Sequence, residues 1–250
     1  MKPVQSEINS YQVVRETWLT RKPSSGARMV ASVATLLLLL TSVIFLLDVG
    51  GWQRLMEASY EAVYVRREWW RLWTTLFAHG DIGHLASNVL LFFILGFFLN
   101  GYFGWRMFPL GALLWGGVIT LLVLPTYEPK ITLIGMSGVV YWMGGAWLVL
   151  YFFLSQQKTR TERWMRTLGV AILIFMPAET FEPHVSYRTH FIGFILGMCA
   201  GGAHFLVHRA RFLSAEVRET IVEYDEDLEQ ENDPNPEKEK AAPIESGSFE

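Results

Sequence analysis

The sequence predicts an all-α, polytopic membrane protein built as a bundle of six transmembrane helices, and three observations predict it. Hydrophobic residues make up 51% of the 250-residue chain and charged residues only 18%, with a mean hydropathy of +0.25. The charges gather toward the two ends instead of alternating with apolar positions. Between them, apolar runs repeatedly reach the ~20 residues that a helix needs to cross a bilayer's hydrocarbon.

The first predicted span is 29–47. It ends in Leu46-Leu47-Asp48-Val49-Gly50, without the small-x-small pattern of a cleaved signal peptide, so it reads as a span. A long loop, 48–80, carries the amphipathic stretch Tyr64–Trp73. Span two is 82–99, with Asp81 placed as its N-cap. Span three, 107–124, stops at Pro125, and span four is 136–154. Span five, 166–179, is short, being free of charge only over 167–178. Span six is 189–207. Three regions follow: an N-terminal arm (1–28), a membrane domain (29–207) and an acidic tail (208–250). The tail reads as a helical start fraying into disorder.

Orientation follows from lysine and arginine. With the N-terminus inside, the inner segments up to Arg218 hold thirteen such residues, including Lys158, Arg160, Arg163 and Arg166, against six outside. Both termini are therefore expected in the cytoplasm. With no targeting presequence evident, the expected location is a bacterial inner membrane. No nucleic-acid footprint is visible. The single cysteine, Cys199, allows no intrachain disulfide and reads as helix packing.

This topology puts Ser137 and His190 at one depth, near the outer ends of spans four and six. Polar groups in hydrocarbon are costly and usually functional. Ser137 lies in Gly135-Met136-Ser137-Gly138, where glycines leave its hydroxyl uncrowded and its helix-start N–H unpaired. It is either a nucleophile or an N-capping serine in a turn. His190, Gly193, Gly197 and Gly201 fall within about 80° of one another on a helix, a small-residue face that lets another helix approach closely. Gly138, Gly144 and Gly145 give span four a matching surface. Packing the two would set His190 against Ser137, as general base or as a packing histidine.

His84 and Asn88 share a face at the outer end of span two. Both offer N–H donors suited to an oxyanion, although Asn88 also suits a helix–helix polar contact. Tyr141, four residues after Ser137, can stack on His190 or anchor at the interface. No acidic residue lies at matching depth in spans four or six, so a Ser–His dyad fits better than a triad. Zinc held by His79, His84 and His190 lacks acidic or cysteine partners, so no metal and no cofactor are expected. A small transporter would need ionisable residues at mid-membrane, and the middle of every predicted span lacks charge.

These residues resemble the rhomboid family of intramembrane serine proteases. The resemblance rests on Trp70-Arg71, Thr74 and Phe77 leading to His79-x₄-His84-Leu-x₂-Asn88, then Gly135-Met136-Ser137-Gly138 with Tyr141, and His190-x₂-Gly193-x₃-Gly197. It covers about 29–207. It implies Ser137 as nucleophile and His190 as base, with His84, Asn88 and the Ser137 N–H forming the oxyanion hole. Tyr141 would support His190, and His79 would order water and loop near the site. Thr189 departs from the small apolar residue that the family places before its final histidine. The implied partners are the lipid bilayer and single-span membrane proteins, cleaved near the outer leaflet where their helices unwind. Span five, with Phe175, Met176 and Phe181, is the expected lateral gate. Trp69, Trp70 and Trp73 are expected at the outer interface. A non-catalytic relative would be expected to lose the serine or the histidine, and both are present here.

Overall fold

The protein's structure, a computed structural model, describes residues 9–175 and 186–223. The chain divides into two compact units, one of residues up to Arg15 and from Arg218 onward, the other running from Glu16 to Val217. In the first, β1 (Asn9–Glu16) and β2 (Val217–Glu223) pair as a two-stranded sheet. This corrects the all-α expectation, while the helix expected at the start of the tail is present as far as Leu213. The β-branched run Thr220-Ile221-Val222, with Val13-Val14 in β1, suits strands better than helix. Arg15 Nε lies 2.6 Å from Glu219 Oε2, an ion pair exposed on both sides and worth little to stability.

The second unit is helical, with α1 (Ala27–Leu46), α2 (Gln53–Met56), α3 (Arg71–Thr74), α4 (Ile82–Phe103), α5 (Leu110–Val123), α6 (Ser137–Leu154), α7 (Arg160–Phe175) and α8 (Tyr187–Leu213). Among the described residues four helices, α1, α4, α6 and α8, are long and apolar enough to cross a membrane. A shorter apolar helix runs from Leu110 to Thr126, so the protein is a mostly helical, multi-pass membrane protein. This is coarser than the six spans expected, of which the fifth was short. The third predicted span begins three residues late, at Leu110. The fifth begins early, at Arg160, because Thr159 and Glu162 cap each other there, with Glu162 N donating to Thr159 Oγ1 at 3.2 Å. Met176, Phe181 and the Phe175 side chain, assigned to the gate, lie outside what is described.

Helix α6 is the centre of the bundle, packed by α4, α5, α7 and α8. In its most apolar stretch 61% of residues are buried inside the protein, against 28% for α1 and 17% for α8. Trp142 and Met143 sit in the core with Leu38 of α1, Leu99 of α4 and Ile119 of α5. On the periphery, Leu36, Leu37 and Leu40 of α1 face outward, as lipid-facing side chains should. Cys199 is also exposed, so it does not serve the helix packing expected of it.

The α6–α8 contact is a backbone seam. A methyl added at Gly193, Gly197 or Gly201 would lie closer than 3.0 Å to the carbonyl oxygens of Gly138, Trp142 and Ala146 respectively. Only glycine lets the two helices approach this closely.

The long loop is no continuous amphipathic helix. One helical turn (61–65) gives way to a left-handed Arg67 (φ 61°) before α3. Hydrogen bonds fix it to the bundle. Arg71 is buried and donates to Glu68 and to Glu57 O (2.7 Å), while Tyr64 donates to Leu121 O (2.7 Å). Trp69 and Trp70 remain about half exposed. At the other end of the bundle, the segment before α1 is tied down by Trp18 Nε1 donating to Tyr102 O (2.9 Å) and Ser24 N to Gly101 O (2.9 Å).

Candidate active site

Ser137 is the first residue of α6, partly exposed, so its own N–H has no partner one turn earlier in the helix. The turn before it is held from two sides. Ala58 and Leu133 exchange backbone hydrogen bonds (3.2 and 2.7 Å), and Thr75 Oγ1 donates to Leu133 O. Gly135 N donates to Thr75 O at 3.0 Å, and Gly135 itself has φ 111°, a conformation that L side chains rarely adopt.

His84 sits in the first turn of α4, whose cap is Asp81: Oδ1 accepts the His84 N–H at 2.8 Å. The imidazole lies over Gly135, and a methyl there would meet His84 Cε1 at 2.7 Å. The ring is therefore two residues from Ser137 along the chain. Asn88, one turn further and buried, donates through Nδ2 to His84 O (3.0 Å) and toward His79 Nε2 (3.3 Å). In this state both amide hydrogens are in use. Donating to an oxyanion would require one to be released, which the sequence alone did not reveal.

His79 is fully buried. Its ring meets that of His84 edge-on at 5.1 Å. Nε2 faces the Asn88 amide and, at 3.5 Å, the Met136 N–H just before Ser137. Nδ1 lies 3.0 Å from Ser42 Oγ, and Ser42 donates to Phe77 O at 2.9 Å. Burial first, and the neighbouring His84 second, hold the His79 imidazole down to about 4, so it is neutral near pH 7. Protein groups face both ring nitrogens, which leaves neither for a metal.

On the facing helix, His190 lies in the first turn of α8 and stacks on Tyr141, with ring centroids 4.0 Å apart and planes 10° from parallel. The seam aligns them: Gly138 meets both Gly193 and the Thr189 methyl. Ser137 and His190 thus flank one helix crossing. No hydrogen bond joins their side chains among the described residues. The Thr189 hydroxyl pairs with Ser186 Oγ, which also bonds Tyr127 OH at 2.7 Å. The departing residue therefore ties the start of α8 to the end of α5, away from the imidazole.

Ser42 and Thr75 were missed from the sequence. Each is a hydroxyl in an apolar stretch whose partner lies 35 or 58 residues away, and no local pattern marks such a contact. The Thr74-Thr75 pair was a partial signal.

A family model described as the Rhomboid domain matches residues 66–206. The chain is also similar to a protein named rhomboid protease GluP from Bacillus subtilis (strain 168), 31% identical over 140 residues. That match takes in 53% of this chain but 26% of the relative, so the chain spans about a quarter of that protein's length.

Proposed function

The chain belongs to the rhomboid family, and on that premise we propose that it is an intramembrane serine endopeptidase acting through Ser137 and His190. The observation that carries the reading is the Tyr141–His190 stack beside the glycine seam, which fixes an imidazole next to the start of the helix bearing Ser137. In the proposed reaction His190 takes the Ser137 proton as Oγ attacks a peptide carbonyl. An acyl-enzyme forms, the leaving amine takes the proton, and water releases the second product. Ser137 Oγ and the imidazole come within about 2.6–3.2 Å once substrate is bound, a tightening expected on going from a free enzyme to its complex.

The developing oxyanion faces the Ser137 N–H, His84 and Asn88. Each donor of this kind is typically worth roughly 3–4 kcal/mol of barrier. Tyr141 keeps the imidazole plane fixed, the task of an acidic third residue in a triad.

The substrate in this reading is a single-span membrane protein, cut near the outer leaflet where its helix unwinds and exposes a carbonyl. The six-span arrangement, with α5 and α7 as the two shorter crossings and both termini in the cytoplasm of a bacterial cell, completes the reading. The test is cleavage of a labelled single-span protein in proteoliposomes. Wild type should release the two fragments, while Ser137→Ala and His190→Ala should release none. Equal cleavage by wild type and Ser137→Ala would end the assignment.

A further inference from the structure

Ser42 lies in the C-terminal half of α1, fully buried, with Thr41 the one other polar residue among the Leu, Val, Ile and Phe around it. A hydroxyl in a membrane helix ordinarily turns back to its own helix, bonding the carbonyl three or four residues earlier. Thr41 beside it does so, donating to Leu37 O at 2.7 Å. Ser42 instead crosses to the loop, donating to Phe77 O and facing His79 Nδ1.

The partners in this cluster assign one tautomer to the ring. The Met136 N–H can only donate, and it points at His79 Nε2. The Asn88 amide is oriented by His84 O, which needs an N–H, so Asn88 also presents a donor to Nε2. Nε2 must therefore accept, and a neutral ring carries its proton on Nδ1. Ser42 has one hydroxyl proton and spends it on Phe77 O, so toward Nδ1 it offers only a lone pair. Nδ1–H faces this lone pair, and the ring also hydrogen-bonds the Phe77 backbone.

We propose that Ser42 is a positioning residue that locks His79 in its Nδ1–H tautomer, so that Nε2 gathers the Asn88 amide and the Met136 N–H beside Ser137. In the other tautomer, an Nε2–H would confront two donors. Both the side chain from α4 and the backbone just ahead of Ser137 would be pushed out of place. Ser42 thus acts from a helix that carries none of the proposed catalytic groups. The inference rests on the protease reading for its kinetic consequence, but not for its tautomer.

Two measurements test it. Protein labelled with ¹⁵N-histidine should report Nδ1 protonated in wild-type His79, assigned by the signal lost in His79→Gln. In Ser42→Ala the signal should move toward a mixture of tautomers, and Ser42→Thr, which keeps the hydroxyl, should restore it. In the proteoliposome assay Ser42→Ala should lower kcat by about tenfold with KM little changed, a fraction of the ~10²–10³ lost when an oxyanion donor is deleted. Ser42→Thr should recover most of that rate. A wild-type ring protonated on Nε2, or full kcat in Ser42→Ala, overturns the proposal. A loss of stability in Ser42→Ala with an unchanged tautomer would mean that the serine is only a tether, and this too overturns it. Failure of wild type to cleave would instead remove the protease reading and leave the tautomer result standing.

Discussion

Replacing Gly197 with alanine would put a methyl into the middle of the α6–α8 seam. The added carbon would sit 2.8 Å from both the Trp142 carbonyl carbon and its Cα, and closer still to the oxygen. All three are backbone atoms of a central helix, so no flexible side chain can yield. Ordinary contact begins at 3.4 Å. The helices would therefore have to part by about 1 Å, and overfilling a packed interior in this way costs roughly 1–3 kcal/mol. The same displacement would carry His190 away from Ser137, and a misplacement of about 1 Å at reacting groups can cost up to about 10²-fold in rate. The assays are unfolding in mixed micelles for stability and proteoliposome cleavage for rate. Gly202→Ala is the control: on the same helix, its methyl would meet only Val149 Cγ1 at 4.0 Å. Gly197→Ala should lose about 2 kcal/mol and at least tenfold in cleavage, with Gly202→Ala near wild type. Equal behaviour of the two variants would refute the claim that close backbone approach sets the site.

Tyr141→Phe should retain most activity because it keeps the ring stacked on His190, while Tyr141→Ala should lose about tenfold or more in kcat through a loosened imidazole. Steady-state kinetics on both variants checks this. His79 is held to about 4 by burial first and by His84 second, below the ordinary imidazole value of about 6.5, so the unfolded chain binds the extra proton. Its contribution to stability should be fully present above pH 6.5 and lost as pH falls toward 4, a loss of about 3 kcal/mol. His79→Gln should flatten unfolding free energy over that window, and an unchanged slope would count against a buried neutral imidazole.

Much of the membrane unit was legible because a bilayer imposes long apolar runs. The helices around Ser137 and His190 begin within two residues of where hydropathy places them, and Asp81 caps α4 as its side chain suggests. The spacing of Gly193, Gly197 and Gly201 on one helical face gave the seam, and the four-residue step to Tyr141 gave the stack. The two strands were hidden by charge. Arg15, Glu16, Arg218 and Glu219 made their flanks read as solvated tail, although the β-branched residues beside them carried the signal. The early start of α7 was present in Thr159-x-x-Glu162 but outweighed by the charges that follow it. Ser42, Thr75 and the double use of the Asn88 amide depend on partners remote in sequence, which periodicity cannot reach.

Carrying the serine on α6 has a mechanical consequence. The helix most enclosed by others is the one least able to sway, whereas α1 presents far more of its surface to lipid. Local opening draws on the regions with fewest buried contacts. In the proposed reaction a bulky guest would therefore be admitted by yielding at the rim of the helix bundle, while its axle stays still and the Ser137 hydroxyl keeps its aim.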